Sequence, residues 1–257
     1  MTTEYTGAGD PARSLALLWR TREKSGRKGR PDLGVDRIVG AAIELADADG
    51  LAALTMRRVA ERLGVGTMSL YTYVPGKAEL LDLMLDTVIG EGARPVGVEG
   101  GWRARLELIA REKWALYQRH PWLLYVATSR PPLGPNVTAA YEYELSAVDG
   151  VGLTDLEMDS VVALIGGYVH GAARGAVEAA QVEQRTGISD EQWWYARAPY
   201  LGTVMDAGRY PLSARVGAAA GEAYGAASDP AHAFEFGLQR VLDGIAHLID
   251  QRGAPES

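Results

Sequence analysis

Leu54-Thr55-Met56-Arg57-Arg58-Val59-Ala60-Glu61-Arg62-Leu63-Gly64-Val65-Gly66-Thr67-Met68-Ser69-Leu70-Tyr71-Thr72-Tyr73-Val74-Pro75-Gly76-Lys77, followed by Ala78-Glu79-Leu80-Leu81, decides how this chain is read. Thr55 is placed to cap a short helix in which Val59, Ala60 and Leu63 share one face while Arg57, Arg58 and Arg62 point elsewhere. Gly64 stops that helix, because a glycine tolerates the left-handed turn that L side chains resist, and Val65 plugs the angle between two helices. A second short helix from Thr67 to Tyr73 turns Leu70 and Val74 inward and leaves Thr67, Met68, Ser69, Tyr71, Thr72 and Tyr73 outward. Small hydroxyls and a methyl-bearing edge approach bases closely, tyrosine hydroxyls reach phosphates, and Lys77 adds a charge at the start of the next helix. The stretch predicts a helix-turn-helix that reads DNA.

The run Leu63-Gly64-Val65 through Leu70-Tyr71, Tyr73-Val74, Lys77 and Leu80-Leu81 resembles the tetracycline-repressor (TetR) family of bacterial regulators. The resemblance is motif by motif over roughly residues 35 to 90 and only one of pattern beyond. It implies an all-α protein, with a three-helix DNA-binding domain followed by a helical ligand-binding and dimerisation domain. It also implies that Arg57 lies near bases or phosphates and that Thr67 to Tyr73 enters the major groove. Gly66 departs from the polar residue often found at its place, which weakens base reading at the front of that helix.

Charge is divided along the chain. The net charge of −7 argues against a protein that coats DNA indiscriminately, yet residues 1–80 carry 12 Lys/Arg against 10 Asp/Glu while residues 81–257 carry 14 against 23. That division suits a DNA-reading head on a body that phosphate repels. With no cysteine in 257 residues, disulfides and thiolate zinc sites are excluded. Apolar runs end well short of the ~20 residues that a membrane span needs, and a cytoplasmic protein without membrane partners is expected.

Three segments are expected: a basic, flexible arm over 1–34, the DNA-binding domain with its connecting helix over 35–89, and the body over 90–257. In the arm, Arg27, Lys28 and Arg30 lie among glycines and are candidates for minor-groove or phosphate contact, and Leu15 to Trp19 predicts a short helix. Thr55 joins the DNA-contact candidates. A supporting helix spans Val35 to Asp49, closed by Gly50, and a lever runs from Lys77 to about Ile89. Body helices are expected over Trp102 to Gln118, from Trp122 onward after Pro121, over Asn136 to Ala147, from a capping box at Thr154 to Arg185, and from Pro230 to Arg252. Gly217 to Ala227 reads as loose.

Flat apolar faces with polar rims make Trp114, Tyr117, Trp122, Tyr125, Tyr141, Tyr168, Trp193 and Trp194, with His170, the candidates for lining a small-molecule pocket. Gly167 and Gly171 lie on a small-residue face, and Phe234, Leu238, Val241 and Ile245 form a seam; together they are the candidate dimer interface. No nucleophile motif, phosphate loop or paired-histidine metal motif occurs, so no catalytic residue, metal or cofactor is expected. The reading is a homodimeric repressor released from a palindromic operator by an amphipathic or aromatic molecule. Release requires only that ligand favour the non-binding state ~100-fold, or ~2.7 kcal/mol. An activator, a regulator without a ligand, or a helical carrier or enzyme are the alternatives.

Overall fold

The computed structural model describes residues 4–7, 9–21, 33–127 and 129–253, which form eleven α-helices and one pair of two-residue strands. The head is built on α2 (Val35–Asp49), whose Ile38, Val39, Ala42, Leu45 and Ala46 are buried. Gly50, at φ 78°, ends it. The pair α3 (Met56–Leu63) and α4 (Thr67–Tyr71) packs on that face through Val59, Ala60, Leu70 and Val74. The long lever α5 (Lys77–Ile89) is buried along most of its length, because the same core wraps it on both sides.

The N-terminal segment departs from the expected arm. Strand β1 (Glu4–Tyr5) and helix α1 (Pro11–Leu18) are docked: Asp10 caps α1 through the Arg13 amide, Leu18 is buried, and Trp19 Nε1 donates to the Leu133 carbonyl at 2.8 Å. Leu15 itself stays exposed. The basic candidates Arg27, Lys28 and Arg30 lie outside the described residues.

The body opens with α6 (Gly101–Arg119), which lies against α8 (Asp155–Thr186) and α11 (Pro230–Gly253) around a core of Leu106, Ile109, Val161, Ile165, Val169, Phe234, Leu238, Leu242 and Ile245. Pro121 starts not an α-helix but a 3-10 turn over Pro121–Tyr125, after which β2 (Val126–Ala127) pairs in parallel with β1. Helix α7 (Pro135–Ser146) starts where Asp86 of α5 accepts hydrogen bonds from the Asn136 and Val137 amides at 3.1 and 2.9 Å. A Cβ on Gly134 would collide with that carboxylate, so glycine is what lets the two helices approach. The 217–227 stretch is not loose throughout: α10 (Pro211–Tyr224) reaches Gly225 and forms a hairpin with α9 (Asp190–Val204). Its alanines supply helix propensity, and the ring of Trp194 lies where a Cβ on Gly221 would be.

The capping box predicted at α8 is present, with Thr154 accepting from the Glu157 amide and Glu157 accepting from the Thr154 amide at 2.9 Å. Glu157 also pairs with Arg252. The Thr154 amide first, then Arg252, hold the Glu157 carboxyl down at about 2. A depressed acid contributes stability above its unfolded pKa and loses it as pH falls through the folded one. Glu157→Gln is therefore expected to flatten the pH dependence of urea denaturation between about pH 4.5 and about pH 2 and to leave its shape near neutrality unchanged.

Candidate functional site

Two surfaces carry the chemistry. On the head, Thr55 Oγ1 accepts from the Arg58 amide at 3.2 Å and so caps α3, keeping its O–H available to donate outward. Gly64 adopts the left-handed conformation at φ 67°. The α4 face then presents Met68, 77% exposed, and Tyr71, 42% exposed, with Thr72 exposed and Thr67 and Ser69 half-buried. Tyr73 is half-buried against the head core, so it offers only part of its ring.

The arginines of α3 divide. Arg58 pairs with Asp49 at 2.6 Å and Arg62 with Glu44 at 2.8 Å, so both brace α3 against α2. Among the described residues Arg57 pairs only within its own helix, with Glu61 at 2.8 Å, and its side chain is 82% exposed. That hydrogen bond raises the already high Arg57 pKa, and such an exposed i,i+4 pair is worth little, so Arg57 exchanges partners readily. Lys77 is engaged by Glu4 at 2.6 Å.

In the body, a cavity of about 730 Å³ lies between α6, α7 and α8 and the end of α5. Ile89, Leu108, Leu116, Val137 and Val162 give it apolar walls. Its polar lining includes Arg94, Glu112, the Lys113–Glu144 ion pair at 2.6 Å, and Tyr141, whose hydroxyl donates to Asp159 at 2.8 Å. That bond first, then burial, raises the Tyr141 pKa.

Of the aromatic candidates only Tyr141 lines this cavity. Trp122 is buried in the head core and donates to Asp47 at 2.8 Å, because the 3-10 turn aims it at α2; no ligand reaches it without unpacking the head. Trp114 stacks on Phe234 at 4.2 Å, and Tyr168 donates to the Phe234 carbonyl at 2.5 Å; both are half-buried against the body core. Tyr117 meets His170 edge-on at 5.6 Å, next to a small apolar cluster that includes Tyr125; burial pushes the Tyr117 hydroxyl up to about 12. Trp193 and Trp194 sit on the α9–α10 hairpin away from the cavity, Trp193 under Arg197 at 4.7 Å. The lining that sequence reasoning missed is aliphatic and charged; Lys113 and Glu144 stand on different helices, and no spacing joins them.

The dimer seam also needs correcting. Phe234, Leu238 and Ile245 are 3%, 0% and 2% exposed within a single chain, and Val241 packs beside them. Their period faces α6 and α8 of the same chain, so they cannot be the surface offered to a second copy. Gly167 and Gly171 do remain exposed, with open space where a Cβ would stand.

Head and body are joined at His120, whose Nδ1 lies 2.8 Å from Asp47 and whose Nε2 lies 3.0 Å from Glu91. Those carboxylates belong to α2 and to the segment just after α5, so one ring at the end of α6 spans the junction.

The sequence matches the model of the bacterial regulatory proteins of the tetR family over residues 38–84 and that of the tetracyclin repressor-like C-terminal domain over residues 94–249. The chain belongs to the TetR family. It is 50% identical over 252 residues to the HTH-type transcriptional repressor DrrR1 of Streptomyces coeruleorubidus, covering 98% of this chain and 91% of that protein. A transcriptional regulator of Saccharopolyspora erythraea is 37% identical over 60% of this chain and 65% of its own. Among solved structures, apo ActR of Streptomyces coelicolor superposes with a TM-score of 0.69 at 30% identity, over 88% of this chain and 99% of that one. ActR in complex with actinorhodin gives 0.70 at 29% identity, over 88% and 99%. This TetR-family chain is accordingly a ligand-responsive, helix-turn-helix transcriptional repressor of all-α fold. Among the described residues no helix is long and apolar enough to cross a membrane.

Proposed function

We propose that two copies of this chain bind a palindromic operator and that a polycyclic, amphipathic compound releases them by entering the cavity between α6, α7 and α8. The cavity itself carries the reading. Its volume of about 730 Å³ falls in the range of small-molecule sites, its walls are largely apolar, and polar side chains from α6, α7 and α8 converge on it. It adjoins Ile89 at the end of α5, the helix whose other end carries Lys77 beside the DNA-reading pair. A ligand there pushes on the lever directly. ActR has been solved with actinorhodin bound, which supports a polycyclic aromatic as the compound class.

The proposed DNA contacts are Thr55, Arg57, Thr67, Met68, Ser69, Tyr71, Thr72, Tyr73 and Lys77, with Arg27, Lys28 and Arg30 of the N-terminal segment. For the dimer, the face around Gly167, Gly171, Leu164 and Phe236 is apolar, close-approach surface, 50% exposed at Leu164 and 59% at Phe236. The α9–α10 hairpin also exposes Tyr200, Leu201, Val204 and Leu212, apolar surface of the kind that a partner copy covers.

Val162→Trp tests the cavity, since an indole on α8 fills it from the wall. The variant is expected to bind operator within about two-fold of the parent yet to resist release by actinorhodin and other polycyclic aromatics that release the parent. Release at unchanged concentration would place the effector elsewhere.

A further inference from the structure

We propose that Glu4–Gly7 is a strap tying Lys77 to the rim of the effector cavity, with Glu4 holding the place on Lys77 that an operator phosphate takes. The strap is fastened at both ends. Toward the head, Glu4 Oε1 lies 2.6 Å from Lys77 Nζ, and the Gly7 amide donates to Asp82 of α5 at 3.0 Å. Toward the body, Glu4 and Tyr5 pair with Val126 and Ala127, and the buried Thr6 hydroxyl lies 2.7 Å from the Arg130 carbonyl and 3.0 Å from that of Ala127. The next residues of that loop, Pro131 and Leu133, line the cavity. Trp19 then grips the Leu133 carbonyl from the far end of α1.

Three physical facts give this path its direction. Lys77 stands in the first turn of α5, where free amides and a cation together attract phosphate. The Lys77 and Glu4 side chains are 35% and 32% exposed, so the pair is neither sealed in nor fully solvated, and an incoming phosphate can displace the carboxylate. The strap is the short route between the cavity rim and that lysine: four residues, held by backbone pairing on one side and by α5 on the other. A rim displaced by ligand therefore moves Glu4 relative to Lys77. Asp82, which anchors the strap at Gly7, has its carboxyl pushed up by burial, and the Gly7 amide partly offsets this.

The inference rests on Lys77 being a phosphate contact, and the experiment separates the two. Operator affinity is measured by fluorescence anisotropy across a salt series for the full chain and for Glu4→Gln, Lys77→Met and the double variant. Lys77→Met is expected to weaken binding and to lower the slope of log affinity against log salt by about 1, as for a lost phosphate contact. Glu4→Gln, which removes the competitor, is expected to tighten binding by about 2- to 5-fold, and the gain should vanish in the double variant. Thr6→Val, which unfastens the strap from the rim and so loosens the hold of Glu4 on Lys77, is expected to tighten binding in the same direction and likewise only when Lys77 is present. If Lys77→Met weakens binding while Glu4→Gln leaves it unchanged, weakens it, or tightens it equally without Lys77, the strap is overturned and the phosphate contact stands. If Lys77→Met has no effect on affinity or slope, both fall.

Discussion

Tyr71→Ala is expected to weaken operator binding by about 1–3 kcal/mol, roughly 5- to 150-fold, with no change in thermal unfolding. The ring is 42% exposed at the end of α4 and Leu70 beside it carries the packing, so its removal costs the fold little and the DNA face much. Anisotropy on operator and on unrelated duplex separates its two possible contributions. A base contact lowers specific binding only, whereas a phosphate contact lowers both and reduces the salt slope. Destabilisation of the head, read by circular dichroism, would instead mean that Tyr71 is structural.

Asp86→Ala is expected to cost about 2–3 kcal/mol of stability, seen as a melting temperature lower by about 5–10 °C. Asp86 is 4% exposed and serves the Asn136 amide, the Val137 amide and the Asn136 side chain, so one carboxylate closes the start of α7 from α5. Alanine leaves those donors buried without an acceptor and removes a negative charge from a helix N-terminus. Burial also pushes the Asp86 carboxyl up, which means the charged form already bears a desolvation cost there. Asp86→Asn keeps an acceptor and sheds that cost, so its melting temperature should fall between those of the parent and the alanine variant. An alanine variant as stable as the parent would show that α5 and α7 are held by their apolar contacts alone.

The head was legible in the sequence because its signals are local. A capping threonine, a glycine just past an apolar face and Leu70 and Val74 at inward positions each dictate structure within a few residues, and all are observed. The long body helices were legible for the same reason, down to the capping box at Thr154. What failed was direction. The spacing of Phe234, Leu238 and Ile245 states that α11 has one apolar face, and it is the same whether that face meets its own α6 and α8 or a second chain. Trp122 shows the same limit: a tryptophan with a polar rim suits a pocket wall or a core with one buried acceptor, and Asp47, 75 residues away, decides for the core. The docking of the N-terminal strap was hidden because two paired residues leave no periodic trace, and its partners lie more than 70 residues away.

The account turns on whether the cavity between α6, α7 and α8 governs the head. The most direct measurement titrates a panel of polycyclic aromatic compounds into the complex of the protein with DNA from its own upstream region, in parallel for the parent and for Val162→Trp. The account predicts specific, salt-sensitive binding by both proteins and release by at least one compound from the parent alone. Equal release from both proteins, or specific binding that no compound disturbs, would contradict it.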